Sequence, residues 1–514
     1  MSDRIPGGSL AKLLAWRAAE NPDAGFVFVE DDGPWTYGQL AAAASRIATQ
    51  LTVTPGDRVI VRVGNDERFL PALCAVWLRA AAVVPMHPAA PAAEVTRVVE
   101  ALDVSAVIAD PDDPCRIEVA VPVTPFPRIP LTTPVASEEV GVPGPSSSDA
   151  RQGVGSQPAL VLLTSGTTGA PKGVVLTHDN AWSNVRATVS AFRSDTTPTP
   201  LAAEDKPPNL IANPLSHTAG VVRLIFALYV GRRVVLLRKF DGRTTKRLLD
   251  RHGIDALTLN PTMLRILLDA LEPGADLGRV RYVGSGTAPL PPALREEFEA
   301  RFKVPVLQAY GQTEAFGGIT VESVKDVLAG RRRPGSVGRA LPGVELRIVC
   351  ADGSAAAPGE QGEIQARSRS CTAGYLGAEP GAGPLDADGW LRTGDLGHLD
   401  TDGYLYITGR LKNTIICGGF NVIPEEVEAA LEEDPRVREA VVVPLPDDKL
   451  GEIPVAVVEA DATPADVLAA VAPRLAPYKR PRQVFVVTQL PRVPNGKVDR
   501  PAAQAMAKGA ASTL

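Results

Sequence analysis

The sequence predicts an α/β protein in two parts: a large N-terminal region with several sheets and a small C-terminal α+β module. Three observations predict it. Apolar runs of strand length alternate with segments of helical spacing through most of the chain, the pattern of α/β layers around a parallel or mixed sheet. After Leu411–Asn413 the pattern restarts as a unit of about 100 residues, the size of a compact module. The 514 residues also exceed one ordinary domain. The chain is therefore divided at 1–411 and 412–514.

Leu10–Ala19 has helical spacing, and Phe26–Val29 reads as a strand before the turn Asp31–Gly33. Trp35–Leu51 is helical, with Thr36 as its N-cap, because a threonine hydroxyl satisfies an orphan N–H of the first turn. Asp57–Val63 is strand-like, Phe69–Ala82 helical, and Val83–Pro85 extended. Val95–Leu102 and Val104–Ala109 repeat helix then strand. Leu131–Pro158 and Ser194–Pro208, rich in Pro, Ser and Thr, are surface linkers. Strands follow at Leu210–Ala212, Arg233–Leu237 and Ala256–Leu259, interleaved with helices near Gly220–Val230, Thr244–His252 and Thr262–Leu271.

In the last hundred residues, strand Thr414–Ile416 and the turn Gly418–Gly419 precede a helix from Pro424. Proline at the first helical position, with Glu425, Glu426 and Glu428 in the early turns, fits helix-start preferences. Strands Val437–Pro444, Pro454–Val458 and Gln483–Val487 and helix Pro464–Leu475 complete the module.

The net charge of −6 argues against a nucleic-acid footprint. Five scattered cysteines with no C-x-x-C argue for a reduced, cytoplasmic setting and against zinc or a disulfide framework. Met1–Leu10 has no apolar core, so no signal peptide is expected, and arginines interrupt the apolar stretches, so no membrane span is expected.

The most informative stretch is Leu162–His178, L-L-T-S-G-T-T-G-A-P-K-G-V-V-L-T-H. It reads as strand, Gly/Ser/Thr loop, strand. Glycines let backbone N–H groups approach an anion, hydroxyls donate to it, and Lys172 adds charge, which is phosphate-handling chemistry. It is not a Walker loop: Pro171 replaces the second glycine, and Gly173 the Ser/Thr that would hold Mg²⁺.

Further stretches carry chemical residues. Asn213–Gly220, N-P-L-S-H-T-A-G, places His217 before an apolar segment. Tyr282–Leu290 puts a Gly-rich turn after a strand at Val280–Val283. Gln308–Ala315, Q-A-Y-G-Q-T-E-A, sets a hydroxyl beside a carboxylate, suited to a phosphate and Mg²⁺ together. Asp395 follows a Gly turn, where a carboxylate suits two ribose hydroxyls; Arg410 ends the strand-like run Tyr404–Thr408. Pro491–Arg500 holds Lys497 on an Asn-Gly turn.

Five of these motifs, in this order from Thr164–Gly173 to Asn495–Lys497, resemble the adenylate-forming superfamily of acyl-CoA synthetases, luciferases and peptide-synthetase adenylation domains, on its acyl-CoA synthetase branch. The resemblance covers roughly Leu10 to Arg500 and implies an acyl-CoA synthetase-like fold with a mobile C-terminal domain. It implies that Thr164, Ser165, Gly166, Thr167, Thr168 and Lys172 handle ATP phosphates. Gly286, Thr287, Ala288 and Pro289 form the adenine platform, with Tyr310 and Gly311 beside it. Thr313 meets the α-phosphate, Glu314 holds Mg²⁺, and Asp395 and Arg410 contact the nucleotide. Lys497 is the catalytic lysine, acting with Glu314, Thr164 and His217; Lys412 is the hinge; Gly418 and Gly419 meet coenzyme A. Departures from the family pattern are Asn413 after the hinge lysine and Cys417 before the glycine pair.

The implied activity is ATP-dependent activation of a carboxylic acid as acyl-AMP, then transfer to coenzyme A, with ATP, Mg²⁺ and coenzyme A as the small molecules. The alternative acceptor is the phosphopantetheine of a carrier protein. His217, Val221, Gly286, Tyr310, Phe316 and Gly317, apolar or small apart from the histidine, are the acyl-pocket residues, which points to a hydrophobic acid: fatty, aromatic or polycyclic. A monomer or homodimer is expected.

Overall fold

The computed structural model describes residues 8–110, 121–125, 154–164, 172–192, 206–379, 382–418, 420–447, 449–493 and 497–511. Among them the largest sheet has seven strands, in the order Gly374–Tyr375, Lys172–Thr177, Pro158–Thr164, Ala82–Pro85, Arg58–Arg62, Ala106–Ala109 and Val123–Pro125. Its interior pairings are parallel, and its near edge is an antiparallel hairpin joining Pro158–Thr164 to Lys172–Thr177. A second parallel group, Ala256–Leu259, Tyr282–Ser285 and Val306–Gln312, continues antiparallel through Gly317–Val321 and Arg339–Ala340. A four-stranded sheet joins Trp35–Thr36, Gly25–Val29, Val234–Leu236 and Asn209–Ile211. Another, antiparallel, holds Glu345–Val349, Gly362–Arg367, Leu391–Leu399 and Leu405–Arg410.

From Ile415 onward the chain forms a sheet of its own. Gly451–Ala460 is central, between Val437–Asp447 and the parallel Gln483–Val487, and Ile415–Cys417 and Phe420–Val422 extend one edge. Two hydrophobic clusters made only of residues from 415 to 511 lie on its faces. The larger N-terminal part carries separate cores, the biggest running from Leu10 to Phe316.

Local chemistry sets most boundaries. Thr36 and Gln39 form a reciprocal capping box at the start of helix Tyr37–Gln50. Thr463 and Asp466 do the same for Pro464–Val471. Gly231 and Gly253 end their helices in the left-handed region, where a Cβ would be strained.

Three expected elements are shifted. The helix read over Phe69–Ala82 stops at Leu78, because Ala80 turns the chain at φ 54° and frees Ala82 for the sheet. The helix read to Leu475 stops at Val471, since Pro473 cannot donate the next backbone hydrogen bond. The strand read at Val280–Val283 occupies Tyr282–Ser285, in register with Ala256–Leu259, so the glycine turn begins at Gly286.

Candidate active site

Thr164 and Lys172 are cross-strand partners closing the Gly/Ser/Thr loop; Ser165, Gly166, Thr167 and Thr168 fall outside the described residues. The exposed Lys172 ammonium lies 5.2 Å from the centroid of the Tyr375 ring. Tyr375 pairs with Val174 at the sheet edge, and its hydroxyl donates to Glu314 Oε1 at 3.0 Å. Tyr375 thus ties the loop lysine to the candidate metal-binding carboxylate. Thr372 fixes the same corner: its N–H donates to the Glu314 carbonyl at 2.7 Å, and its hydroxyl bonds the Val175 and Gly374 carbonyls.

Glu314 sits on a tight turn. Strands Val306–Gln312 and Gly317–Val321 pair so closely that a Cβ on Gly311 would lie 1.8 Å from the Gly317 carbonyl oxygen; only glycine fits. The one-turn 3₁₀ segment Thr313–Ala315 joins them, with Phe316 at φ 55° and Gly317 at φ 112°. That hairpin projects Thr313 and Glu314 side by side. Thr313 Oγ1 lies 2.9 Å from Thr218 Oγ1, at the first turn of helix Thr218–Val230.

His217 caps that helix. It is open to solvent yet walled by protein, and this partial desolvation, with the positive Lys497 and then His87, holds its imidazole below the ordinary histidine range. His217 is therefore neutral at pH 7.

On the neighbouring sheet Asp395 and Arg410 are cross-strand partners. Asp395, only 5% exposed, accepts from the Tyr310 hydroxyl at 2.7 Å and pairs with Arg410 Nε at 2.9 Å. Burial, then the Asp395 charge, raises the Tyr310 phenol well above its usual range, so it stays a donor. The turn at Gly286 packs against this strand: a Cβ there would lie 3.0 Å from the Ala309 carbonyl oxygen. Thr287 follows at φ 71°, a left-handed conformation costly for a β-branched residue and of the kind held at functional sites.

Lys497 comes from the C-terminal module. A small hairpin presents it: Val493 N–H donates to the Lys497 carbonyl at 2.9 Å, and Arg492 bridges Val498. Its ammonium faces the cleft, solvent-exposed but surrounded, and burial, Arg410 and Lys412 lower its affinity for a proton while Asp395 opposes them. Lys412 is lowered by burial and Arg410, against the pull of Asp395 and Glu314. Glu314, Asp395, Arg410, Lys412, His217 and Lys497 therefore share one electrostatic neighbourhood with an excess of positive charge.

Other expected residues lie elsewhere. Val221 and Phe316 are sealed in the main core, and Val222, not Val221, stands nearest Gly317. Gly418, at φ 59°, lies in the turn after Ile415–Cys417; Gly419 is outside the described residues. Tyr375, Thr218 and His87 enter the site only through tertiary contacts and carry no local signal in the sequence. No group of three or more His, Cys, Asp or Glu side chains able to hold a metal occurs among the described residues. A lone carboxylate fits Mg²⁺ carried in on a nucleotide, since Mg²⁺ takes one or two carboxylates plus phosphate oxygens. No helix among the described residues is long and apolar enough to cross a membrane.

The model of the AMP-binding enzyme family matches residues 14–376, and that of the AMP-binding enzyme C-terminal domain matches residues 426–497. The chain is 35% identical to a sulfoacetate–CoA ligase of Cupriavidus necator, over 96% of each chain. It is 31% identical to a long-chain-fatty-acid–CoA ligase of Mycobacterium tuberculosis, over 95% of this chain and 96% of that one. Its fold is similar to the o-succinylbenzoate coenzyme A synthetase of Bacillus subtilis in complex with ATP and magnesium ion, with TM-score 0.79, 28% identity and coverage of 96% and 99%. The same synthetase with an acyl-adenylate intermediate gives TM-score 0.80 at 27% identity, covering 96% and 97%.

Proposed function

The chain belongs to the AMP-binding enzyme family, on the acyl-CoA synthetase branch of the adenylate-forming superfamily, and from that premise we propose how its residues divide the work. The reaction is ATP-dependent ligation of an acid to coenzyme A through acyl-AMP, with Mg²⁺.

A carboxylate attacks the α-phosphorus of ATP, and pyrophosphate leaves. Acid and triphosphate repel, so the cleft must be cationic before they arrive. Lys497, Arg410, Lys412 and Lys172 supply that charge, and Thr313 orients the α-phosphate. Glu314 would hold Mg²⁺, which would supply neutralisation of phosphate charge. Asp395 holds the ribose hydroxyls, fixed by Tyr310 and Arg410. The Gly286–Pro289 turn supports adenine, and neutral His217 borders the acid without pairing with its carboxylate. The Thr164–Lys172 loop, including Ser165–Thr168, covers the phosphates.

The observation that carries this reading is the approach of Lys497, from the last hairpin of the chain, to Asp395, Arg410, Lys412 and His217. That approach supports assigning this lobe orientation to the adenylate-forming step. Thiol transfer needs Lys497 withdrawn, so residues 412–514 turn about Lys412 and bring Gly418 and Gly419 to the acyl-adenylate.

The acid sits between helix Thr218–Val230 and the Gly286 turn, against Val222 and Gly317, so its body is apolar. Pyrophosphate release across a panel of acids tests the activity, and AMP release with coenzyme A against a holo-carrier protein tests the acceptor. Turnover with coenzyme A but not the carrier is expected. Phosphate in place of pyrophosphate would overturn the reading.

A further inference from the structure

Helix His178–Phe192 packs against both helix Thr218–Val230 and strand Gly317–Val321, so three elements converge beside the reacting end of the cleft. Asn180 and Asn184 stand one turn apart on one face of that helix. Asn180 is fully used. Its Oδ1 accepts from the Thr177 N–H at 2.8 Å, and its Nδ2 donates to the Arg369 and Cys371 carbonyls at 2.8 and 2.9 Å. These bonds anchor the helix to the corner where the Thr372 N–H holds the Glu314 carbonyl.

Asn184 comes next on that face, and its amide meets Gly317. A Cβ on Gly317 would lie 3.9 Å from Asn184 Nδ2 and 3.7 Å from Val222 Cγ2. Gly317 has no side chain, so the space beside it is walled by an amide on one helix and a valine on the other. Val222 and Gly317 are themselves only half-buried. Val222 also fixes the position along the cleft. It stands one turn, about 6 Å, past Thr218, which touches Thr313 at the reacting end.

Asn184 is only 2% exposed, yet among the described residues its side chain makes no hydrogen bond. The sliver of surface it keeps includes its amide atoms. A second amide nitrogen without a partner, Nε2 of Gln312, belongs to the residue paired with Gly317 across the hairpin. Cross-strand partners share a face, so two idle amides border one glycine. Buried Asn65, by contrast, donates to the Asn213 and Leu237 carbonyls and accepts from the Leu215 N–H. A buried amide left idle destabilises the fold, so one held beside a cleft points to a partner brought in from outside. The atom nearest Gly317 is a neutral N–H donor, which matches an oxygen acceptor.

We propose that Asn184 is a specificity-determining residue that donates a hydrogen bond to a neutral oxygen on the acid, a keto or hydroxyl oxygen a few bonds from the carboxylate that is adenylated. The substrate is then an apolar acid with one polar interruption near its reacting end, an oxo or hydroxy acid. Val222 packs against the apolar chain beside that oxygen. This rests on the ligase reading above.

The test is pyrophosphate release by the whole chain with a straight-chain acid and its oxo derivatives. The carbonyl is stepped from about the third carbon to about the seventh, which brackets the helical turn from Thr218 to Val222. The wild type is expected to favour one oxo position over the parent acid by about tenfold to a hundredfold in kcat/KM, chiefly through KM. Asn184→Leu is expected to bring that ratio within about threefold of one, and Asn184→Ser, which keeps a shorter donor, to retain part of it. Asn184→Leu should also melt at an equal or higher temperature than wild type, because it removes an idle buried amide. A wild type that favours no oxo position, a ratio unchanged in Asn184→Leu, or a melting temperature several degrees lower in that variant overturns the proposal and leaves the ligase standing. Release of phosphate in place of pyrophosphate contradicts the ligase itself.

Discussion

The Tyr310 hydroxyl donates a 2.7 Å hydrogen bond to the buried Asp395 carboxylate, whose other oxygen pairs with Arg410. The two residues are 85 positions apart and lie on different sheets, so this contact locks the nucleotide turn to the sheet that leads into the C-terminal module. Tyr310→Phe keeps the ring and removes the donor. A buried hydrogen bond to a charged acceptor contributes about 1.5–3 kcal/mol, so the urea midpoint should fall accordingly, while the KM for ATP stays within about threefold because the ring remains against adenine. An unchanged midpoint would mean that the bond does not hold Asp395.

Lys497→Ala should lose most acyl-adenylate formation, by about 3 kcal/mol or roughly a hundredfold, while thioester formation from supplied acyl-adenylate survives. Burial and the Arg410 and Lys412 charges ease proton loss from Lys497 in the free enzyme. The alkaline limb of kcat/KM for ATP should therefore fall below the usual lysine range and move upward in Lys497→Arg. Equal loss of both half-reactions would show that this lysine does not belong to the first step alone.

Lys412 lies in the one-turn 3₁₀ segment Leu411–Asn413, between the last strand of the N-terminal part and the first of the C-terminal sheet. Fixing φ there with Lys412→Pro should stop thioester formation and spare adenylation, read as separate single-turnover rates. Undiminished thioester turnover would refute a pivot at this residue.

His178 is a structural case. Its Nδ1 accepts from the Leu10 N–H at 3.2 Å and its ring packs edge-on against Trp77, so it is buried neutral, and burial pulls its pKa down to about 4. Between about 6.5 and 4 the unfolded chain binds the proton and the folded one does not, so stability falls as pH falls through that window, by up to roughly 3 kcal/mol. His178→Asn keeps an acceptor without the titration. Its melting temperature should drop less than that of wild type between pH 6.5 and 4.5; parallel curves would assign the acid sensitivity elsewhere.

Much of this was legible in the sequence where the signal was local. Thr36 could be read as a cap because its partner lies three residues on. The Thr313–Glu314 pair could be read as a phosphate and metal motif because its hydroxyl and its acid are neighbours. Side-chain direction was not legible. Val221 and Val222 look alike in sequence, but the phase of the helix sends the first to the core and the second toward Gly317. Phe316 looks like a pocket wall, but its left-handed backbone turns it inward. Tyr375 reaches Glu314 only because a two-residue edge strand lies beside the nucleotide loop.

The central claim is that the acid's own carboxylate attacks the α-phosphorus of ATP in the cleft shared by Glu314 and Lys497. The most direct measurement supplies an accepted acid labelled with ¹⁸O in that carboxylate, together with ATP, Mg²⁺ and coenzyme A, and follows the label by mass spectrometry. The account predicts one labelled oxygen in AMP, with unlabelled pyrophosphate. Label in inorganic phosphate alongside ADP, or AMP without label, would contradict it.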